Sequence, residues 1–218
     1  MNNCASLIGF DFSIQKPACC LLINNQYHFI SWPKDLSEKL ISLYRNSGVN
    51  IIERQDDYND PKDSSEKVRC EIKWSNYMAD LIIETIKPYI NEKTKIAFEG
   101  SSFGSSGNVV IQITSRRYML MHKLTSFIPL ENMFTYAPTT VKKIAGCSKK
   151  DPLTGKAFTK NDIIDSFIIS GPNCLLNKNL KENKDNFMKK GNKNYQTHLD
   201  DLIDSFWVLE TLKEKEYL

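Results

Sequence analysis

Four acidic residues stand where an acid is costly. Asp11 ends the apolar run Ile8-Gly9-Phe10-Asp11-Phe12-Ser13, and Glu99 ends Ile96-Ala97-Phe98-Glu99-Gly100 in the same manner. An ionised carboxylate among that much hydrocarbon is expensive unless a cation neutralises it. Asp201 and Asp204 lie three apart, one helical turn, so both can face the same place. If the two strand ends lie side by side next to that helix, four carboxylates converge and their repulsion calls for divalent ions. An oxygen-only donor set suits Mg2+, with Mn2+ as a substitute, better than zinc, because no cysteine or histidine pair accompanies it. The chemistry is phosphoryl transfer: two ions about 4 Å apart activate a water, hold the scissile phosphate and stabilise the departing 3′ oxygen. Taken singly, Asp11 is also readable as a turn acid, Glu99 as a salt-bridged strand end, and Asp201 with Asp204 as a solvated helix face. The combination favours convergence, because each acid sits in an element whose apolar neighbours force a common core. Asp200, at i,i+4 to Asp204, is a competing ligand, although its place at the helix start suits a cap or first-turn role.

The elements that must position these acids follow from periodicity. Stretches 4–12, 18–23 and 27–32 read as three consecutive strands of a meander, because Asn24-Asn25 breaks any helical period and turns the chain. A helix over 35–45, a longer one over 70–90, a strand over 95–99, a helix over 109–124 and a strand over 132–137 come next. Short helices over 139–144 and 160–169 precede the closing helix, 198–212, whose packing face is Leu202, Ile203, Phe206 and Leu209. The segment 56–67 reads as a polar loop. The segment 173–197 is rich in Asn and Lys and poor in apolar residues, so a mobile or extended insert is expected there. The whole reads as one α/β domain over 1–218, a mixed sheet covered by helices.

Charge adds a direction. The net charge of +3 says little, but 132–198 carries 12 lysines against five acids, whereas in 51–99 the acids outnumber the bases 11 to 8. An anion-facing surface in the later segment is one reading, and a solvated lysine-rich loop is the other. The Gly/Ser-rich stretch 100–108 lacks the Gly-Lys-Ser/Thr ending of a P-loop, which excludes that nucleotide site. Ser105 and Ser106 are candidates to donate to a DNA phosphate from this loop, and Arg116 and Arg117 to contact phosphates from the next helix; an ordinary turn and a solvated helix face are the alternatives. His198 reads as a surface residue at a helix start. The six cysteines form no C-x-x-C pair and the three histidines no zinc-finger spacing, so free thiols in a reducing interior are expected. No apolar run of membrane-spanning length and no signal sequence is present, which points to the cytoplasm.

These residues resemble the RuvC-type Holliday junction resolvases, members of the ribonuclease H-like nuclease superfamily. Gly9-Phe10-Asp11-Phe12-Ser13 with Pro17-Ala18 looks like the family's first catalytic strand and its turn. Ala97-Phe98-Glu99 resembles the strand bearing its glutamate, and Asp200-Asp201-Leu202-Ile203-Asp204-Ser205 its closing D-x-x-D helix. A fourth block, from Ala137-Pro138 through Val141-Lys142-Lys143 to Gly146, with Lys149-Lys150 and Lys160 downstream, is similar to a region that approaches DNA in the family. The resemblance implies a ribonuclease H-like fold with a mixed five-stranded sheet flanked by helices. It implies that Asp11, Glu99, Asp201 and Asp204 hold Mg2+ (or Mn2+) for catalysis, and that Lys142, Lys143 and Lys149 contact the DNA backbone. It further implies an endonuclease of DNA recombination and repair, with branched DNA, above all the four-way junction, as partner, and a homodimer as the working form. The loop at 56–67, the turn around Pro152 and the insert at 173–197 depart from the compact cellular enzymes and resemble divergent viral and bacteriophage members, for which the host cytoplasm is the expected location. Two other functions stay open: a viral nuclease acting on other branched DNA, packaging DNA or an RNA–DNA hybrid, and a noncatalytic nucleic-acid-binding or scaffold protein.

Overall fold

The computed structural model describes residues 6–13, 16–54, 61–100, 108–147, 155, 157–191 and 194–216. Strands β1 (Leu7–Asp11), β2 (Ala18–Ile23) and β3 (Gln26–Ser31) form the expected antiparallel meander. Asn24 and Asn25 both adopt left-handed φ (50° and 61°), the two-residue turn whose twist matches the strands it joins. Helix α1 (Glu38–Asn46) returns the chain to β4 (Val49–Ile51), which pairs parallel to β3. After α2 (Ser64–Ile86), β5 (Lys95–Glu99) inserts parallel to β1, and after α3 (Asn108–Leu124), β6 (Met133–Tyr136) adds parallel to β5.

The sheet therefore has six strands in the order β4-β3-β2-β1-β5-β6, not the five expected. The additional one, β4, is three residues long and follows Gly48 directly, too short for alternation to show in the sequence. The α/β class and the helix-flanked mixed sheet expected of a ribonuclease H-like chain are present.

Pleating divides the strand residues between two apolar layers. Ile8, Phe10, Cys19, Leu21, Ile96 and Phe98 pack against α2 and α3. Leu7, Ala18, Cys20, Leu22 and Ala97 face the other layer, where α7 (Thr197–Glu216) lies against the sheet with α4 (Pro138–Ile144), α5 (Lys160–Ser170) and α6 (Leu175–Glu182) around it. Helix α2 begins at Ser64, earlier than expected, because the Asp63 side chain caps it by accepting from the Glu66 N–H at 2.8 Å.

The mobile or extended insert expected over 173–197 is in large part folded. Leu176, Leu180 and Phe187 are buried, and Asn179 Nδ2 donates to Asn46 O (3.2 Å) and Ser47 Oγ (3.0 Å). Two buried leucines, Leu176 and Leu180, seat α6, and Phe187 anchors the turn after it, which average composition conceals. The described cysteines are free thiols. No helix among the described residues is long and apolar enough to cross a membrane.

Candidate functional site

Parity and pairing bring the two strand acids together. Gly9 pairs with Ala97 in the parallel β1/β5 ladder, so Asp11 and Glu99, two residues further along each strand, leave the same end of the sheet on the face that carries α7. Gly9 is what lets the helix come close. A Cβ there would stand 2.3 Å from Ser205 O, 2.4 Å from Leu209 N and 2.8 Å from Leu209 Cβ, so the α7 backbone rests on the bare strand. That seat puts Asp201 and Asp204 beside Asp11. All four acids line one cavity of about 450 Å³, with Lys142, Lys160 and Arg117 on its walls.

The acids are buried, and the nearby cations do not offset that burial. Burial, then the charges of Asp201, Asp204 and Glu99, then a side-chain hydrogen bond with Asp201, pushes the Asp11 carboxyl well above the usual carboxylate range. Asp201 and Asp204 are pushed up to about 7, in both cases mainly by burial. Glu99 is raised by burial, against the pull of Lys142, Lys160 and Arg117. Asp201 is itself buried, and its Oδ2 accepts no hydrogen bond; the Lys16 ammonium is 3.9 Å away. Lys160 Nζ lies 3.4 Å from Asp200 Oδ2. An orphaned carboxylate oxygen within an all-oxygen cluster that keeps protons near neutrality fits a divalent cation as the missing counter-charge. Among the described residues, no group of three or more His, Cys, Asp or Glu side chains is arranged around a single ion position.

The basic residues read from the sequence separate into groups. Lys142 lines the acid cavity, and Lys143 is exposed at the next position of α4. Arg117 is buried at the cavity and Nη1 donates to the Glu99 carbonyl oxygen, bracing the end of β5. Arg116, expected as a phosphate contact, is not placed for one: only 2% of its side chain is exposed. Its guanidinium binds both Glu71 oxygens (Nη2 to Oε2 2.6 Å, Nη2 to Oε1 2.8 Å) and stacks 3.8 Å over the Trp74 ring. It ties α3 to α2. Ser105, Ser106 and Lys149 lie outside the described residues.

Two features escaped sequence reasoning. Lys16 supplies a cation to the acid cluster, and its only signal was the turn that brings residue 16 back towards Asp11; Lys160, read from the sequence as part of the fourth block, also pairs with the cluster from the start of α5. His198 is buried rather than on the surface, edge-on to Tyr44 with ring centroids 4.8 Å apart. Neither ring nitrogen has a hydrogen-bond partner, and burial followed by the Lys16 charge pushes its pKa down to about 3.

The sequence matches no family model and no curated protein. Among solved structures, the chain is similar to Thermus thermophilus RuvC in complex with a Holliday junction substrate, at a TM-score of 0.46 and 8% identity over 96% of this chain and 95% of that one. It is likewise similar to another Thermus thermophilus RuvC structure, at a TM-score of 0.45 and 10% identity over the same shares.

Proposed function

We propose that this chain is a divalent-metal-dependent endonuclease that cuts branched DNA, with the four-way Holliday junction as its preferred substrate. The observation that carries the nuclease reading is the convergence of Asp11, Glu99, Asp201 and Asp204 in one cavity, where burial and mutual repulsion raise the pKa of the carboxyl groups. The junction follows from the four-block sequence resemblance, as does a two-fold homodimer, which would bring one site to each of two strands cut symmetrically.

Those four acids would hold Mg2+ or Mn2+, which when bound would supply the positive charge that phosphodiester hydrolysis needs at the attacking and departing oxygens. The chain's own groups do the rest. Asp11 and Glu99 present their carboxylates from adjacent strand ends, and Asp201 and Asp204 present theirs from one turn of a helix, so rigid elements set the spacing. Lys142 and Lys160 draw a phosphate to the mouth of the cavity and partly screen the repulsion between that phosphate and the acids. Arg117 acts through the backbone of Glu99 and is a positioning residue. No nucleophile belonging to the protein is required: water attacks phosphorus, the P–O3′ bond breaks, and the ends left are a 5′ phosphate and a 3′ hydroxyl.

The test is a cleavage assay with end-labelled four-way junction, flap, linear duplex and RNA–DNA hybrid, each in Mg2+ and in EDTA. Paired nicks at symmetry-related junction positions, faster than cleavage of matched duplex and absent in EDTA, are expected. Equal rates on junction and duplex reject the junction preference, hybrid cleavage alone replaces the substrate class, and no Mg2+-dependent cleavage of any substrate rejects the enzyme.

A further inference from the structure

The lysines of the segment 173–197 are not equivalent. Lys184 is committed, since its ammonium donates to Asp165 Oδ1 at 2.8 Å, where the Tyr195 hydroxyl also donates at 2.5 Å. Lys178 lies on α6, whose Leu175 and Asn179 meet Gly48, Asn46 and Ser47 just before β4 begins. Strand β4 runs parallel to β1, so its start is at the end of the sheet opposite Asp11.

Lys189 and Lys190 are placed otherwise. They enter the turn of a short hairpin closed by the bridge between Met188 and Tyr195 and by the Lys189 N–H donating to Asn194 O at 2.9 Å. The hairpin is clasped to the start of α7, because the Gln196 N–H donates to Phe187 O (2.8 Å) and its side-chain amide to Met188 O (3.0 Å). A further tie, Asn161 Nδ2 donating to Asn194 Oδ1 at 3.2 Å, fastens it beside Lys160 at the start of α5. The hairpin thus stands directly ahead of the helical turn that carries Asp201 and Asp204. Lys190 is exposed, and among the described residues neither Lys189 nor Lys190 forms an ion pair.

The geometry points to the paired segments 188–191 and 194–195 as a backbone clamp for duplex DNA, in which Lys189 and Lys190 extend the cationic lip begun by Lys160 and seat phosphates of the arm leaving the acid cavity past the start of α7. This rests on the nuclease reading above and adds to it a contact surface built by the insert. Charge complementarity selects the occupant: unpaired ammonium groups on a tethered hairpin suit the regularly spaced phosphates of a duplex. Contacts of this kind fix position along the duplex without reading bases.

The experiment is fluorescence anisotropy of the full chain with labelled four-way junction and with matched duplex, in EDTA, over about 50 to about 300 mM KCl. The Lys189→Gln/Lys190→Gln variant is compared with a control of equal charge change, Lys178→Gln/Lys181→Gln. Each lost phosphate contact lowers the slope of log affinity against log salt by about 0.9, so the hairpin variant should lose about 2 from the slope and bind roughly tenfold or more weakly at low salt, with the control close to the parent. A hairpin variant that keeps the parental slope and affinity overturns the clamp while leaving the nuclease reading intact. Equal losses in both variants also overturn it, since net charge alone then accounts for the binding. A parent chain that binds neither DNA removes the nuclease reading and the clamp together.

Discussion

Gly9→Ala probes the seat of α7 on β1. The added methyl would meet Ser205 O at 2.3 Å, Leu209 N at 2.4 Å and Leu209 Cβ at 2.8 Å. Two of these atoms are helix backbone and cannot swing aside, so relief requires α7 to withdraw by about 1 Å to restore ordinary packing distances. Overfilling a core costs about 1–3 kcal/mol, which for a chain of this size lowers the melting temperature by roughly 2–12 °C. Asp11 is two residues along the strand from Gly9, and Asp204 immediately precedes Ser205, so the same withdrawal parts the acids. A 1 Å misplacement of reacting groups costs about 100-fold in rate. The assay pairs thermal melting, with and without Mg2+, with initial rates of junction cleavage well below both melting transitions. Ile82→Ala is the control: Ile82 is fully buried in the opposite layer, and its loss costs about 2–5 kcal/mol without touching the α7 seat. The variant at position 9 should lose both stability and Mg2+ response, whereas the control should lose stability alone. A Gly9→Ala chain that melts with the parent, or one that cuts at the parental rate when fully folded, refutes this reasoning.

Two pH effects accompany it. Asp201 and Asp204 keep protons up to about 7 in the folded chain, whereas the unfolded chain releases them near 4. In EDTA, stability should therefore fall as pH rises from about 4 through about 7, by several kcal/mol in total, and Mg2+ should restore it at about pH 8 while changing little at about pH 5. Melting curves across that range check this, and a Mg2+ effect that does not grow with pH contradicts it. His198 acts in the opposite sense: its folded pKa of about 3 lies below the unfolded value near 6.5, so the stability it permits above about 6.5 is lost as pH falls towards 3. His198→Leu should flatten that acid limb and, by removing two unpartnered ring nitrogens, gain about 1 kcal/mol at neutral pH in urea titrations. A variant less stable than the parent at neutral pH would show that the imidazole has a partner.

The sequence exposes the acid set because each acid interrupts an apolar run, and it exposes the β2–β3 turn because Asn-Asn tolerates left-handed backbone. Strand parity alone places Asp11 with Gly9 and Leu7 on one face. What it does not expose is partnership over distance. Arg116 looks like any helix cation until Glu71, 45 positions earlier, is found bound to its guanidinium. His198 looks exposed because its neighbours are polar, yet Tyr44 covers it from α1. The short β4 and the helix α6 fail for a different reason: three residues and two buried leucines respectively are below what any period can register.

The central claim is that these four acids form one divalent-cation site. Calorimetric titration of Mn2+ into the parent chain and into Asp11→Asn near neutral pH tests it most directly. Saturable Mn2+ uptake by the parent, accompanied by proton release and weakened at least about tenfold in the variant, is the expected result. A parent that takes up no Mn2+, or a variant that binds it as well as the parent, contradicts the account.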